Sequence, residues 1–485
     1  MNFFEQFIAS LFEIDDEMTS FESADEVKLS KAEFLCDVSL KAEWISSFFV
    51  PEELTLSGRP VLDNLKWLLA SIAAGKLVNI VAEDVAFPSS DVPCYQGLTP
   101  SSVRQNIESL KEKFIALGHD GEIVLLTSGS TGKPSKVRLG FAECCYQAVV
   151  VGNDLVLDKK DRQLFYMPLN YVYGLSVALS GLFRNSVLVE TAYTLDEPNS
   201  FFEQIPLRHI SCFSGVPFTY NLLIKKWGVD RIRNSHLRML TQAGGLLGVD
   251  VKKLILDELP EIDLWILYGQ TELGGRIAQF NLSKNREKLR SAGTPIQGVE
   301  IHVEQDESVE GESDGEIYVH SASCAKNAQE NSNCIEIGNK VFIATGDIGS
   351  FEDGYLYISG RNKNFVKVAG SRINLIAVEN YFKSLQGLTE SVVEYENSRF
   401  PLLLIGVHFS ELDTNLQDQA SIKSKFKSLD GFQDGLSALI RNVPYYIYVF
   451  DGDIPRLTSN KINSMFLKES LREQYRRKGS VYIRL

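Results

Sequence analysis

Apolar and polar positions divide the chain into three stretches. Up to about residue 120, helical spacing is mixed with short apolar runs. One segment, Leu65-Lys66-Trp67-Leu68-Leu69-Ala70-Ser71-Ile72-Ala73-Ala74-Gly75, predicts a buried helix ended by glycine. From Gly121 to about Ser359, strand-like runs such as Ile123-Val124-Leu125-Leu126-Thr127 and Leu264-Trp265-Ile266-Leu267 alternate with helical spacing, which predicts a layered α/β fold. The acidic stretch from Glu304 to Gly315 has few apolar residues and predicts an exposed hairpin or loop. From Gly360 onward short strands and helices alternate, and no internal repeat is evident.

The run Thr127-Ser128-Gly129-Ser130-Thr131-Gly132-Lys133-Pro134-Ser135-Lys136 crowds hydroxyls and glycines directly behind a strand. Its glycines let backbone approach an anion, and Ser128, Ser130 and Thr131 supply short donors, so the pattern predicts a phosphate-holding loop. A Walker A loop needs a glycine five positions before its Gly-Lys pair and a Ser or Thr after the lysine. Thr127 and Pro134 stand there instead, and the proline opposes the helix that such a loop feeds. A flexible surface linker is the bland alternative, disfavoured by the apolar strand in front of it.

Composition narrows the class further. A chain of 485 residues, 44% hydrophobic and 23% charged, can bury a large core and divide into domains. No apolar run is long enough for a membrane span, and Met1-Asn2-Phe3-Phe4-Glu5-Gln6 lacks the features of a signal peptide. Seven cysteines without CxxC spacing predict a reducing, cytoplasmic setting, with Cys144-Cys145 as buried spectators. Six scattered histidines offer no zinc spacing, and a net charge of −14 argues against nucleic acid as partner.

Three more clusters follow the phosphate loop. Tyr268-Gly269-Gln270-Thr271-Glu272 comes directly after a buried strand. Thr345-Gly346-Asp347 precedes Gly360-Arg361-Asn362-Lys363, and Ile454-Pro455-Arg456-Leu457-Thr458-Ser459-Asn460-Lys461 lies near the C-terminus. In this order the four resemble the adenylate-forming superfamily of acyl-CoA synthetases, luciferases and nonribosomal-peptide adenylation domains. The resemblance runs from about Ile123 to Leu467. Met167-Pro168-Leu169-Asn170-Tyr171-Val172-Tyr173-Gly174 and Thr241-Gln242-Ala243-Gly244-Gly245 look most like free-standing bacterial acyl-CoA synthetases.

The resemblance implies a large layered α/β domain over residues 1–359 and a small mobile α+β lid domain over 360–485. It implies ATP and Mg2+, a carboxylic acid activated to an acyl-adenylate with release of pyrophosphate, and acyl transfer to the pantetheine thiol of coenzyme A or a carrier protein. Lys461 would bring the catalytic cation from the lid, Thr271 would bond the α-phosphate, and Glu272 would hold Mg2+. Thr127, Ser128, Gly129, Ser130, Thr131, Gly132 and Lys133 would cradle the outer phosphates. Asp347 and Arg361 would take the ribose, and Tyr268, Gly269, Gln270, Gly244 and Gly245 would frame the adenine. Lys363 would be the hinge of the lid, and Gly370 would line the thiol's path.

For the acid, the candidate walls are Tyr171, Gly174, Val216, Pro217, Phe218, Thr241, Gln242, Ala243, Gly274 and Gly275, a mixture that fits an apolar acyl or aryl group. Tyr171 replaces the family's frequent histidine, and Met167 to Ser176 contains no aspartate to hold a substrate ammonium. Six basic residues between Phe466 and Leu485 could meet an acidic carrier protein or the phosphates of coenzyme A, or be a solvated helix face. Two alternatives stay open: an amino-acid-activating enzyme that loads a dedicated carrier protein, and a non-catalytic nucleotide-binding homologue.

Overall fold

The computed structural model describes the chain except residues 1, 15–18, 48–51, 60, 83–93, 97, 129–133, 306–313, 369–370, 386–387, 397–401, 410–425, 427–434, 437–438, 441–442, 444, 450–468 and 470–485. Two compact units emerge. The first comprises Met1–His302, Tyr318–Thr345 and Phe351–Tyr357; the second comprises Val303–Ile317, Gly346–Ser350 and Ile358–Leu485. The mixed α/β architecture expected from the alternating runs is present.

The first unit is built on two sheets. Up to Pro295 its strands are β1 (Thr19–Glu22), β2 (Lys28–Ser30), β3 (Glu53–Ser57), β4 (Leu77–Val81), β5 (Glu122–Ser128), β6 (Pro134–Gly140), β7 (Arg162–Phe165), β8 (Val187–Glu190), β9 (Cys212–Gly215), β10 (Met239–Gln242), β11 (Asp263–Tyr268), β12 (Ala278–Asn281) and β13 (Ser291–Pro295). The larger sheet orders them β13-β12-β11-β10-β9-β7-β8-β1-β2, and the smaller β3-β4-β5-β6. Strands β7 to β11 run parallel, whereas β12 returns antiparallel against β11. Every residue of β8, β9 and β10 is buried, as expected for parallel strands covered on both faces by helices.

Helix Val61–Ala73 coincides with the helix predicted around Leu65, and Gly75 behind it adopts a left-handed φ of 70°. Its N-terminus is held from the larger sheet, where the Glu190 carboxylate at the end of β8 accepts from the backbone N–H of Val61 at 2.7 Å. Helices Phe141–Asp154 and Val172–Arg184 pack against each other. All seven cysteines are free thiols. Burial pushes the Cys144 thiol up to about 12 and that of Cys145 well above its ordinary value, so both are inert.

The second unit has its own core. Helix Leu375–Ser384 lies against a sheet of Leu388–Glu396, Leu402–Phe409 and Tyr445–Val449, with the first pair antiparallel and the second parallel. Val378, Phe382, Val393, Leu403, Ile405, Val407 and Ile447 fill the space between them.

One polar cluster ties β1 into the larger sheet. Glu22 is 4% exposed and pairs with both Arg162 and Arg208, while Arg208 also donates to Ser23 O at 3.0 Å. Burial opposes ionisation of Glu22, but hydrogen bonds and charge from Arg162 and Arg208 outweigh it and hold the carboxyl below its ordinary 4.5. The depressed folded value gives stability that is complete above about pH 4.5 and is lost as pH falls through the folded value. Glu22→Gln should cost roughly 3 kcal/mol, because the buried Arg208 and the half-buried Arg162 lose their counter-charge. Urea denaturation measures this, and the deficit should shrink as pH falls from about 4.5 through the depressed folded value, where the native carboxylate protonates.

Candidate active site

Strands β9, β10 and β11 are adjacent and parallel, so the segments leaving their carboxyl ends gather at one edge of the sheet, where ligands bind in open α/β folds. Val216-Pro217-Phe218 leaves β9, Ala243-Gly244-Gly245 leaves β10, and Gly269-Gln270-Thr271-Glu272 leaves β11. Three tyrosine hydroxyls fix these ends. Tyr166 donates to Ser214 O at 2.9 Å, and Tyr220 to Thr241 O at 2.8 Å. Tyr173 donates to Thr241 O at 2.9 Å, its hydroxyl also lies 2.7 Å from Thr241 Oγ1, and Thr241 Oγ1 donates to Ser214 Oγ at 2.8 Å. Burial pushes all three phenols above their ordinary range, so they remain neutral donors.

Behind β11 the chain makes one 3₁₀ turn, Thr271–Leu273, closed by Gly274 at a left-handed φ of 82°. This turn meets the end of β5: Thr127 Oγ1 donates to the Glu272 carboxylate at 3.1 Å, across 145 residues of sequence. Gln270 is anchored as well, its amide donating to Thr345 O at 2.9 Å. Tyr268, Thr271, Glu272 and Gly274 are half-buried, with an open side toward solvent. In the second unit Asp347 is buried and pairs with Arg361 Nε at 2.8 Å.

The predicted loop is narrower than its sequence run. Thr127 and Ser128 end β5, and Pro134-Ser135-Lys136 begin β6, paired to β5 in register; Gly129, Ser130, Thr131, Gly132 and Lys133 lie outside the described residues. Gly370 and Lys461 also lie outside them, and Lys363 is described only in its backbone, within the turn Asn362–Asn364.

Among the proposed walls, Gly174 is buried inside helix Val172–Arg184, where a Cβ would stand 2.4 Å from Pro168 O. Val216 and Pro217 are half-buried; Gly244 and Gly245 are exposed at positive φ. Tyr171 and Phe218 are 61% and 62% exposed, so neither is a core residue. Gln242 is 1% exposed, and its amide donates to Ala243 O and Gly245 O at 3.0 and 2.8 Å, which shapes the turn rather than lining open space.

Sequence reasoning missed Arg276, which is buried and lies with its guanidinium 5.7 Å from the centroid of the Tyr173 ring. A lone arginine between Gly275 and Ile277-Ala278 is the signal that could have found it. Among the described residues no group of three His, Cys, Asp or Glu is placed to hold a metal, and no helix is long and apolar enough to cross a membrane.

A family model described as AMP-binding enzyme matches residues 70–327. The 2-succinylbenzoate–CoA ligase of Bacillus licheniformis is 30% identical over 282 residues, and the alignment spans 57% of each chain, little more than half of that relative. A 2-succinylbenzoate–CoA ligase of Bacillus cereus strain AH820 is 25% identical over 400 residues, 79% of this chain and 81% of that one. Among solved structures, ATP-bound MatB from Rhodopseudomonas palustris superposes with a TM-score of 0.71 at 18% identity, over 98% of this chain and all of that one. The o-succinylbenzoate coenzyme A synthetase MenE of Bacillus subtilis, in complex with AMP, gives 0.70 at 19% identity, over 96% and 98%. Both show the same fold.

The turn after β11 tolerates no side chain at its first position. A Cβ at Gly269 would stand 1.7 Å from Gly275 O, so Gly269→Ala must shift the backbone that closes the Thr271–Glu272 turn. The expected cost is about 2–3 kcal/mol in thermal or urea unfolding. Gly248→Ala, where a Cβ meets nothing within 4 Å, serves as the near-neutral control.

Proposed function

The chain belongs to the AMP-binding enzyme family, and on that footing we propose that it is an AMP-forming acid–thiol ligase that activates a carboxylic acid with ATP and passes the acyl group to coenzyme A. The hydrogen bond from Thr127 to Glu272 carries the reading. It joins the strand that enters the phosphate loop to the turn proposed to hold the α-phosphate. The relatives named as CoA ligases support coenzyme A rather than a carrier protein as acceptor.

The chemistry starts from a poor electrophile. A carboxylate would have to expel oxide, so its oxygen first attacks the α-phosphorus of ATP, forming acyl-AMP as pyrophosphate departs. The thiol then adds to the acyl carbon and AMP leaves. Both partners of the first step are anions, so cations and fixed dipoles aimed at the α-phosphate supply most of the acceleration. Thr271 and the backbone of its turn bond that phosphate, residues 127–133 hold the outer phosphates, and Lys461 of the lid domain, 360–485, neutralises the developing charge. The Glu272 carboxylate is an oxygen donor of the type Mg2+ prefers, held in place by Thr127 beside the phosphate loop; when bound, the ion offsets phosphate charge.

Asp347 can accept both ribose hydroxyls, oriented by Arg361. Tyr268, at the end of β11, offers a ring for adenine, and the exposed Gly244-Gly245 turn gives a base close backbone approach. Tyr171, Gly174, Val216, Pro217 and Ala243 border the acid. After adenylation the lid rotates at Lys363, and Gly370 comes to line the thiol's path.

ATP–pyrophosphate exchange across fatty, aryl, dicarboxylic and amino acids tests the function; exchange with amino acids alone would overturn the acid–CoA reading, and none with any acid would point to a non-catalytic homologue. Lys461→Ala should lose adenylate formation by roughly a thousandfold yet still convert supplied acyl-AMP and coenzyme A to thioester. Unchanged exchange in that variant removes Lys461 from the mechanism. Glu272→Gln should raise the Mg2+ concentration needed for half-maximal exchange by about tenfold or more, while ATP-free thioester formation from acyl-AMP changes little.

A further inference from the structure

Arg276 is 3% exposed, and its Nε donates to nothing. Among the described residues no carboxylate pairs with its guanidinium. Its described contacts are the Tyr173 ring, 5.7 Å away, and Gln147, whose amide donates to the Arg276 carbonyl at 3.0 Å and to Ser323 Oγ at 2.6 Å. A charge withdrawn from water without a counter-ion is costly, and proteins keep one where a ligand completes it. Burial pulls the Arg276 guanidinium down to about 10, which still leaves it a cation at neutral pH.

The surroundings indicate which ligand. Tyr173 lies between Tyr171 and Gly174, the segment proposed to border the acid, and its hydroxyl is committed to Thr241 at the end of β10. On the ligase reading the guanidinium, beside the Tyr173 ring, belongs to the side proposed for the acid, while the bond between Thr127 and Glu272 belongs to the side proposed for the phosphates. Gln147 fixes its backbone carbonyl from helix Phe141–Asp154. A purely hydrocarbon acyl chain would leave this cation unpaired on binding. A second carboxylate would satisfy it with charge-assisted hydrogen bonds.

We propose that Arg276 pairs with a second carboxylate of the substrate, so that the acid is a dicarboxylic acid activated at one end and recognised at the other. This rests on the acid–thiol ligase reading above and names its substrate class. It also replaces the sequence-based expectation of an apolar acyl or aryl group by an acyl group with an anionic far end.

The test is ATP–pyrophosphate exchange by the full-length protein with matched pairs, each a monocarboxylic acid and the dicarboxylic acid of the same carbon skeleton. Wild type should favour the dicarboxylic member of at least one short or medium-length pair by about tenfold or more in kcat/KM. Arg276→Met should lower kcat/KM for that dicarboxylic acid by about a hundredfold, mainly through KM, while leaving or raising that for its monocarboxylic partner. Arg276→Lys, which keeps the charge, should retain part of the preference and covers the case in which the methionine variant does not fold.

A wild-type preference for the monocarboxylic acid throughout overturns the inference and leaves the ligase reading standing. An equal loss on both acids in Arg276→Met reduces the residue to packing and also overturns it. Exchange with no acid at all refutes the ligase reading, and this inference with it.

Discussion

The hydroxyls of Tyr166, Tyr173 and Tyr220 converge on Ser214 and Thr241, one residue before the carboxyl ends of β9 and β10. Parallel strands leave unpaired carbonyls where they end, and an exposed end would fray into water. Here neutral buried phenols occupy those carbonyls, and Thr241 and Ser214 close the set between them. The turns that leave the strands therefore start from fixed points. The positions of Ala243-Gly244-Gly245 and of Val216-Pro217 follow from that clamp, and the aromatic bodies of the same tyrosines pack into the core beneath it, Tyr166 stacking on Phe213 at 5.8 Å.

Rigidity at the strand ends contrasts with what surrounds them. The turn behind β11 is a single 3₁₀ turn held by Gln270, by the Gly274 closure and by Thr127 from the smaller sheet. Each tether comes from a different part of the chain, so the Thr271–Glu272 pair is located by tertiary contacts rather than by a long helix of its own. The N–H groups of Leu273, Gly274 and Gly275 are used within the turn, donating to Gln270 O, Thr271 O and Gln270 O. Asp347 and Arg361 form a comparable prearranged pair in the second unit. A mechanism that works through positioning and charge stabilisation needs groups aimed before the substrate arrives.

The proposed role of Arg276 sets an acyl side apart from a phosphate side. In the proposed function, phosphate would be met by short hydroxyls and glycine backbone, because a highly charged nucleotide brings its own cation and must also leave. Under the proposal above, the single buried guanidinium of Arg276 would contribute more discrimination at the acyl end than several exposed lysines could. Burial raises both the cost of the empty site and the penalty on a substrate that fails to complete it. Under that proposal, selectivity for the acid would rest on one side chain two residues before β12.

The sequence by itself determined the layered α/β class, the helix around Leu65, the spectator character of Cys144-Cys145 and the family, because apolar periodicity and glycine-rich turn chemistry are local properties that survive without a partner. It also picked out the segments behind β5, β9, β10 and β11, since each combines a short apolar run with residues suited to a turn. Only the tertiary structure decided how those segments act. It paired Thr127 with Glu272, turned the Gln242 amide inward to brace its own turn, and left Tyr171 and Phe218 facing solvent. It also buried Arg276 against Tyr173 without a counter-charge. Those outcomes depend on which distant strands become neighbours and on how much water each side chain loses, and neither quantity is written in any local stretch of sequence.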